Sequence, residues 1–169
     1  MKSKVKKDRH ELLLAIDPMY RGFGFALFEK PNSLVDWGIT DIRVNINTRS
    51  MHRIEQLIEF YHPDRIVLED IRGESSRRCK RVEQLVNQIR LLANENGVKI
   101  SSYSANQVQE VFEQFKCRNK YERAKAICEW LPELTSRIPP KRAIWMSEDP
   151  RTNLFDAVAL ALTYYYLED

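Results

Sequence analysis

The chain has 169 residues, of which 43% are hydrophobic and 30% charged, and a formal net charge of +3. That length suits one domain with a sizeable core, and no stretch approaches the ~20 apolar residues of a membrane span. A charge this small permits a nucleic-acid partner without demanding one, so its distribution matters more than its sum.

The start, Met1-Lys2-Ser3-Lys4-Val5-Lys6-Lys7, is basic but lacks the apolar core of a signal peptide. Residues 1–11 read as a flexible basic arm ahead of a single domain over 12–169. Leu12–Asp17 is a nearly continuous apolar run, as for a strand buried on both faces. Pro18 to Gly24 supplies turn chemistry, and Phe23–Phe28 restarts as a strand. After a turn at Pro31-Asn32-Ser33, Leu34–Arg43 reads as a third strand, with Val35, Trp37 and Ile39 on one side. Strands joined by turns this short predict an antiparallel meander.

The period then changes. Ile54, Leu57, Ile58 and Tyr61 recur at helical spacing over 48–61, and Pro63 ends that helix. Ile66–Glu69 is a fourth strand, reached by a helical crossover and so expected to lie parallel to a strand already in the sheet. Val82, Leu85, Val86, Ile89 and Leu92 mark a second helix, with Asn96-Gly97 as its C-cap. Val98–Tyr103 is a fifth strand, and Ser104 an N-cap for a helix over Ala105–Phe115. Asn119–Leu131 is another helix, 132–150 is irregular, and a last helix runs over Arg151–Leu167. The order β-β-β-α-β-α-β-α-α-α predicts an α/β domain with a five-stranded mixed sheet: three antiparallel strands, then two crossover-connected parallel strands, flanked by helices.

Cys79, Cys117 and Cys128 have no CxxC spacing and leave one odd thiol in any pairing. They favour free thiols in a reducing compartment, with the cytoplasm as the simplest location.

Two acids end two apolar strands. Leu13, Ala15 and Asp17 share one face of the first, and Val67 and Glu69 share one face of the fourth. If those strands are parallel neighbours, about 4.8 Å apart, their carboxyl ends meet at the edge where open α/β sheets place ligands. Two carboxylates held that close repel and raise a pKa; a divalent cation resolves the conflict, and Mg²⁺ takes oxygen ligands. Asp156 brings a third acid on a helix whose Ala157, Ala159 and Ala161 allow close approach to a sheet. Each has a plainer role: turn or cap for Asp17, and N-terminal charge for Asp156. Asn153 shares the face of Asp156, and is either a weak amide ligand or an ordinary helix residue. Asp149, followed by Pro150, reads first as an N-cap and second as a metal ligand. Asp70 lies on the strand face opposite Glu69.

The chain resembles the RuvC-type Holliday junction resolvase family of the ribonuclease H-like superfamily. The residues that carry the resemblance are Ala15-Ile16-Asp17-Pro18 with Gly22–Ala26, Val67-Leu68-Glu69, and Asp156–Thr163. Tyr103–Val108 and Lys120–Ala124 match shorter segments between them. The resemblance implies that Asp17, Glu69 and Asp156 are catalytic, metal-binding acids, and that Lys120 lies near DNA. It also implies Mg²⁺ or Mn²⁺, in two ions bridged by Asp17 about 4 Å apart, one activating water and the other stabilising the leaving 3′ oxygen. A homodimer acting on branched DNA is implied as well. The family has a fourth acid where this chain has Asn153. The basic residues Arg72, Arg77, Arg78, Lys80 and Arg81 follow Glu69 directly and suit phosphate contact; alternatively they are a solvated helix start.

The leading expectation is a metal-dependent endonuclease acting on branched or structured DNA. The alternative is a catalytically weak or inactive relative that binds nucleic acid or a protein partner, which the Asn153 departure favours.

Overall fold

A computed structural model describes residues 10–72 and 78–168. Within them, β1 (Leu13–Met19), β2 (Gly22–Lys30) and β3 (Ser33–Asp41) form the expected meander. Helix α1 (Ile46–Tyr61) crosses to β4 (Arg65–Glu69), and α2 (Lys80–Glu95) leads to β5 (Lys99–Tyr103). Three helices follow: α3 (Ala105–Glu113), α4 (Lys120–Trp130) and, after a short 3-10 turn at Pro132–Arg137, α5 (Arg151–Glu168). The sheet order is β3-β2-β1-β4-β5, with β4 parallel to both β1 and β5.

Helices cover both faces of the sheet. Leu14, Ile16, Leu27, Ile66 and Leu68 meet α1 and α2 through Leu57, Leu85 and Ile89. On the other face Leu13, Ala15, Ala26, Phe28 and Val67 meet α3, α4 and α5. Burial on both sides explains why β1 and β4 are apolar runs rather than alternating ones. Helix α5 carries no separate polar stripe through its middle; Ala157, Val158, Ala159, Leu160 and Ala161 are all buried.

Two local features differ from the expectation. Strand β1 continues through Pro18 to Met19, paired with β2 as Pro18↔Phe23 and Met19↔Gly22. Its described pairing with β4 stops at Ala15, so Pro18 has a strand on one side only, where a residue without an N–H is tolerated. In β3 the register with β2 shifts between Leu27 and Phe28, so Trp37 faces Ala26 while Leu34 faces Phe28. Val35 occupies the bulge. It is 45% exposed, and Leu34 takes its place with Trp37 and Ile39 against the core.

Ser104 caps α3 as expected. Its hydroxyl accepts from Gln107 N–H at 3.1 Å, and the Gln107 side chain accepts from Ser104 N–H at 2.8 Å. Gly97 ends α2 at φ +66°, a left-handed conformation that favours glycine.

Candidate active site

The register that pairs Ala15 with Val67, continued by two residues, brings Asp17 beside Glu69 on the α5 face of the sheet. Asp17 is also paired with Gly24 of β2, and that glycine decides how near α5 comes. A Cβ at position 24 would stand 2.5 Å from the Asn153 carbonyl oxygen and 2.8 Å from the Leu154 nitrogen. Only a residue without a side chain lets the first turns of α5 lie directly on β2. The reward is contact between residues 136 positions apart: Asn153 Nδ2 donates to Asp17 Oδ2 at 2.8 Å. One turn along the helix, Asp156 faces the same cleft, of ≈ 650 Å³, whose walls include Asp17, Glu69, Arg78 and Lys120.

Each acid is met by a cation of the chain itself. Arg78 Nη2 contacts Asp17 Oδ1 at 3.1 Å and Glu69 Oε2 at 2.8 Å, and its Nε donates to Glu69 Oε2 at 2.9 Å. Nη1 donates to the Pro18 carbonyl at 3.0 Å. On the α5 side, Lys120 Nζ bridges Asp156 Oδ2 at 2.9 Å and Glu148 Oε1 at 2.7 Å. Arg123, one turn after Lys120 on α4, reaches Asp156 Oδ1 at 3.3 Å with its guanidinium over the Phe112 ring.

The electrostatics follow from burial. Asp17 is 1% exposed, and burial, with the charge of Asp156 added, pushes its carboxyl up to about 7, against the pull of Arg78 and the Asn153 hydrogen bond. Burial opposes the charge on Arg78, but Asp17 and Glu69 outweigh it and hold the guanidinium above its ordinary value. For Lys120 burial likewise pulls down, and Asp156 and Glu148 prevail.

Among the described residues, no three Asp, Glu, His or Cys side chains converge as a finished metal centre. The donor chemistry nonetheless fits a hard divalent ion: a buried carboxylate, two further carboxylates and an amide around one cleft. Arg78 sits between Asp17 and Glu69, where an ion joining them would stand.

The other residues singled out in the sequence have separate places. Asp149 accepts from Arg151 N–H at 2.9 Å and pairs with its guanidinium at 2.7 Å, which holds the start of α5; the hydrogen bonds of Arg151 keep its carboxyl below the ordinary range. It lines a neighbouring cleft rather than the acid cleft. Arg72 is exposed and pairs with Asp70 at 3.1 Å. Arg81 donates to the carbonyls of Met19 and Tyr20 at 2.7 and 2.8 Å and to Asn47 at 2.9 Å, clamping the β1–β2 turn to α1. Lys80 is exposed at the start of α2. Arg77 and residues 1–9 lie outside the described residues. Arg123 and Glu148 were not singled out; the i, i+3 spacing of Lys120 and Arg123 on one helix face was the available signal for Arg123, while Glu148 comes from a stretch without periodicity.

No family model matches the chain. No curated protein matches it in sequence. Solved structures do. RuvC of T. thermophilus in complex with a Holliday junction substrate superposes with a TM-score of 0.67, at 18% identity, over 94% of this chain and 95% of that one. The yeast mitochondrial Holliday junction resolvase gives 0.64 at 15% identity over 91% of this chain and 77% of that one. A fowlpox virus resolvase in complex with Holliday junction DNA gives 0.51 at 16% identity, covering 92% and 98%. The five-stranded mixed sheet and its helices therefore form the ribonuclease H-like fold that these resolvases share.

Proposed function

We propose that the chain is a metal-dependent endonuclease that hydrolyses phosphodiester bonds in branched or structured DNA. The observation that carries it is the meeting of Asp17, Glu69 and Asp156 around one cleft, from two strand ends and a helix, with Asp17 buried and its pKa raised. The shared fold with resolvases bound to Holliday junctions supports the substrate class.

Asp17, Glu69 and Asp156 would hold Mg²⁺ or Mn²⁺, two ions in the full assembly, with Asn153 turning its oxygen inward as a weaker ligand. The bound metal supplies an activated water and charge stabilisation for the leaving oxygen. The chain's own part is positioning. Asp17 is fixed by its strand and by Asn153. Arg78, now paired with both acids, would be free once a metal took their oxygens to pair with a backbone phosphate, a bidentate role suited to guanidinium. Lys120, half-exposed beside Asp156, would offer a further phosphate contact. Arg72 and Lys80, both exposed, would add phosphate contacts near Arg78; Arg77 lies outside the described residues. Arg81 is committed to the β1–β2 turn and contributes by keeping Asp17 in place. A homodimer would supply the second active site that paired nicks require. A reducing, cytoplasmic setting agrees with an odd number of thiols. Among the described residues no helix is long and apolar enough to cross a membrane.

The test is a cleavage screen of four-way junctions, flaps and single strands with Mg²⁺ or Mn²⁺, run beside Asp17→Asn. Cleavage by the parent and none by the variant is the expected result. Metal-dependent cleavage that survives Asp17→Asn would overturn the assignment. A second reading, a binding protein with little or no hydrolysis, is favoured by one observation: Asn153 presents its N–H rather than an oxygen to Asp17. Junction binding without cleavage under any of these metals would establish it.

A further inference from the structure

The segment between the 3-10 turn and α5 ends in a feature that the acid cleft does not use. Met146 N–H donates to the Ala143 carbonyl at 3.0 Å, closing a four-residue turn whose central residues are Ile144 and Trp145. Arg142 Nε donates to the Met146 carbonyl at 2.6 Å and braces it. Ile144 is 99% exposed and Trp145 87%. The other two tryptophans are engaged: Trp130 against Phe112 and Phe115, Trp37 against the core. A hydrogen-bonded turn that holds two large apolar side chains in water marks a contact surface.

Its position says what kind. Lys141, Arg142 and Met146, which flank the tip, line a cleft of ≈ 600 Å³ together with Lys120 and Glu148. Lys120 and Glu148 also line the acid cleft, so the cleft beside the tip adjoins the one that holds Asp156. The partner must therefore offer flat apolar faces and negative charge within one short stretch. Nucleic acid with an unstacked base does both: phosphates for Lys141, Arg142 and Lys120, and a free π-face for the indole. An intact duplex has no such face to offer.

We propose that the Ile144–Trp145 tip stacks on a base left unpaired or opened at a branch point, and so selects structured over continuous duplex DNA. The proposal rests on the endonuclease reading above and deepens it.

The experiment measures anisotropy of labelled four-way junction and of uninterrupted duplex of the same sequence, with Asp17→Asn protein in the absence of divalent metal. Trp145→Ala, added to that protein, is expected to weaken junction binding by about ten- to a hundredfold, the share of one base–aromatic stack, and to leave duplex binding within about twofold. Trp145→Phe is expected to restore most of the loss. The exposed position keeps the fold intact, which a melting curve matching the parent's verifies. Junction binding unchanged by Trp145→Ala, or an equal loss on junction and duplex, overturns the inference while leaving the endonuclease assignment standing. A parent that binds no nucleic acid overturns both.

Discussion

Asn153 and Asp17 are joined by a 2.8 Å hydrogen bond in which the amide donates and the carboxylate accepts. The bond ties the first turn of α5 to the end of β1 and partly offsets the cost of burying Asp17. Asn153→Asp removes the donor and adds a negative charge. The metal-free protein is expected to lose on the order of 2 kcal/mol, the size of a charged hydrogen bond, and to bind Mn²⁺ more tightly than the parent. Urea denaturation and calorimetric titration with Mn²⁺ measure both. A variant of unchanged stability and unchanged metal affinity would show that position 153 does not face the metal.

If Asp17 and Glu69 hold a divalent ion as proposed, Arg78 would compete with it for the same oxygens. Arg78→Ala leaves Asp17 and Glu69 without their counter-cation, so the metal-free protein is expected to weaken by about 2 kcal/mol. Metal affinity moves the other way, rising severalfold because no guanidinium has to be displaced. Calorimetry on the two proteins reports this apart from any cleavage. Weaker metal binding in the variant would mean that Arg78 organises the acids rather than occupying the metal's place.

Gly24→Ala tests how the site is assembled. The added methyl would meet the backbone of Asn153 at 2.5 Å, and a helix backbone cannot step aside as a flexible side chain can. A loss of about 1–3 kcal/mol is expected from overpacking, together with a fall in cleavage larger than the stability change accounts for, since Asn153 and Asp156 both move away from Asp17. Thermal unfolding and single-turnover cleavage on a common junction give the two numbers.

The raised carboxyl of Asp17 sets a pH dependence. Its folded value of about 7 exceeds its ordinary 3.8, so between those pH values the folded state holds a proton that the unfolded state has lost. Metal-free stability therefore falls as pH rises through that window, with a slope from this group of at most ~1.4 kcal/mol per pH unit. Asp17→Asn is expected to flatten that part of the curve and to gain on the parent as pH rises from 3.8 to about 7. Parallel stability–pH curves for the two proteins would show that Asp17 titrates normally.

The strands and their meander were legible because each rests on local pattern: apolar runs, turn residues and a change of period; the same strand ends singled out Asp17 and Glu69 as candidates. Ser104 and Gly97 were legible for the same reason. Arg78 was readable as a basic residue near the acids but not as their partner, since its contact with Asp17 spans 61 positions and is a tertiary fact. The Val35 bulge escaped because strict alternation gives no hint of where a strand takes an extra residue. Gly24 looked like turn chemistry; its actual use, admitting a helix backbone, is a tertiary fact. Asp149 reads as a helix-start residue because an acid before Pro is itself a local signal, and its carboxylate accepts from Arg151 N–H.

Asp17 and Glu69 lie in the first half of the chain, whereas Asn153 and Asp156 come from α5, the last element described. During synthesis the first two acids leave the ribosome long before the helix that completes their cleft. A growing chain with β1 to β5 already paired would still lack one wall of the centre. On this arrangement the cleft is closed last: chains that still lack α5 would hold Asp17 and Glu69 without Asn153 and Asp156.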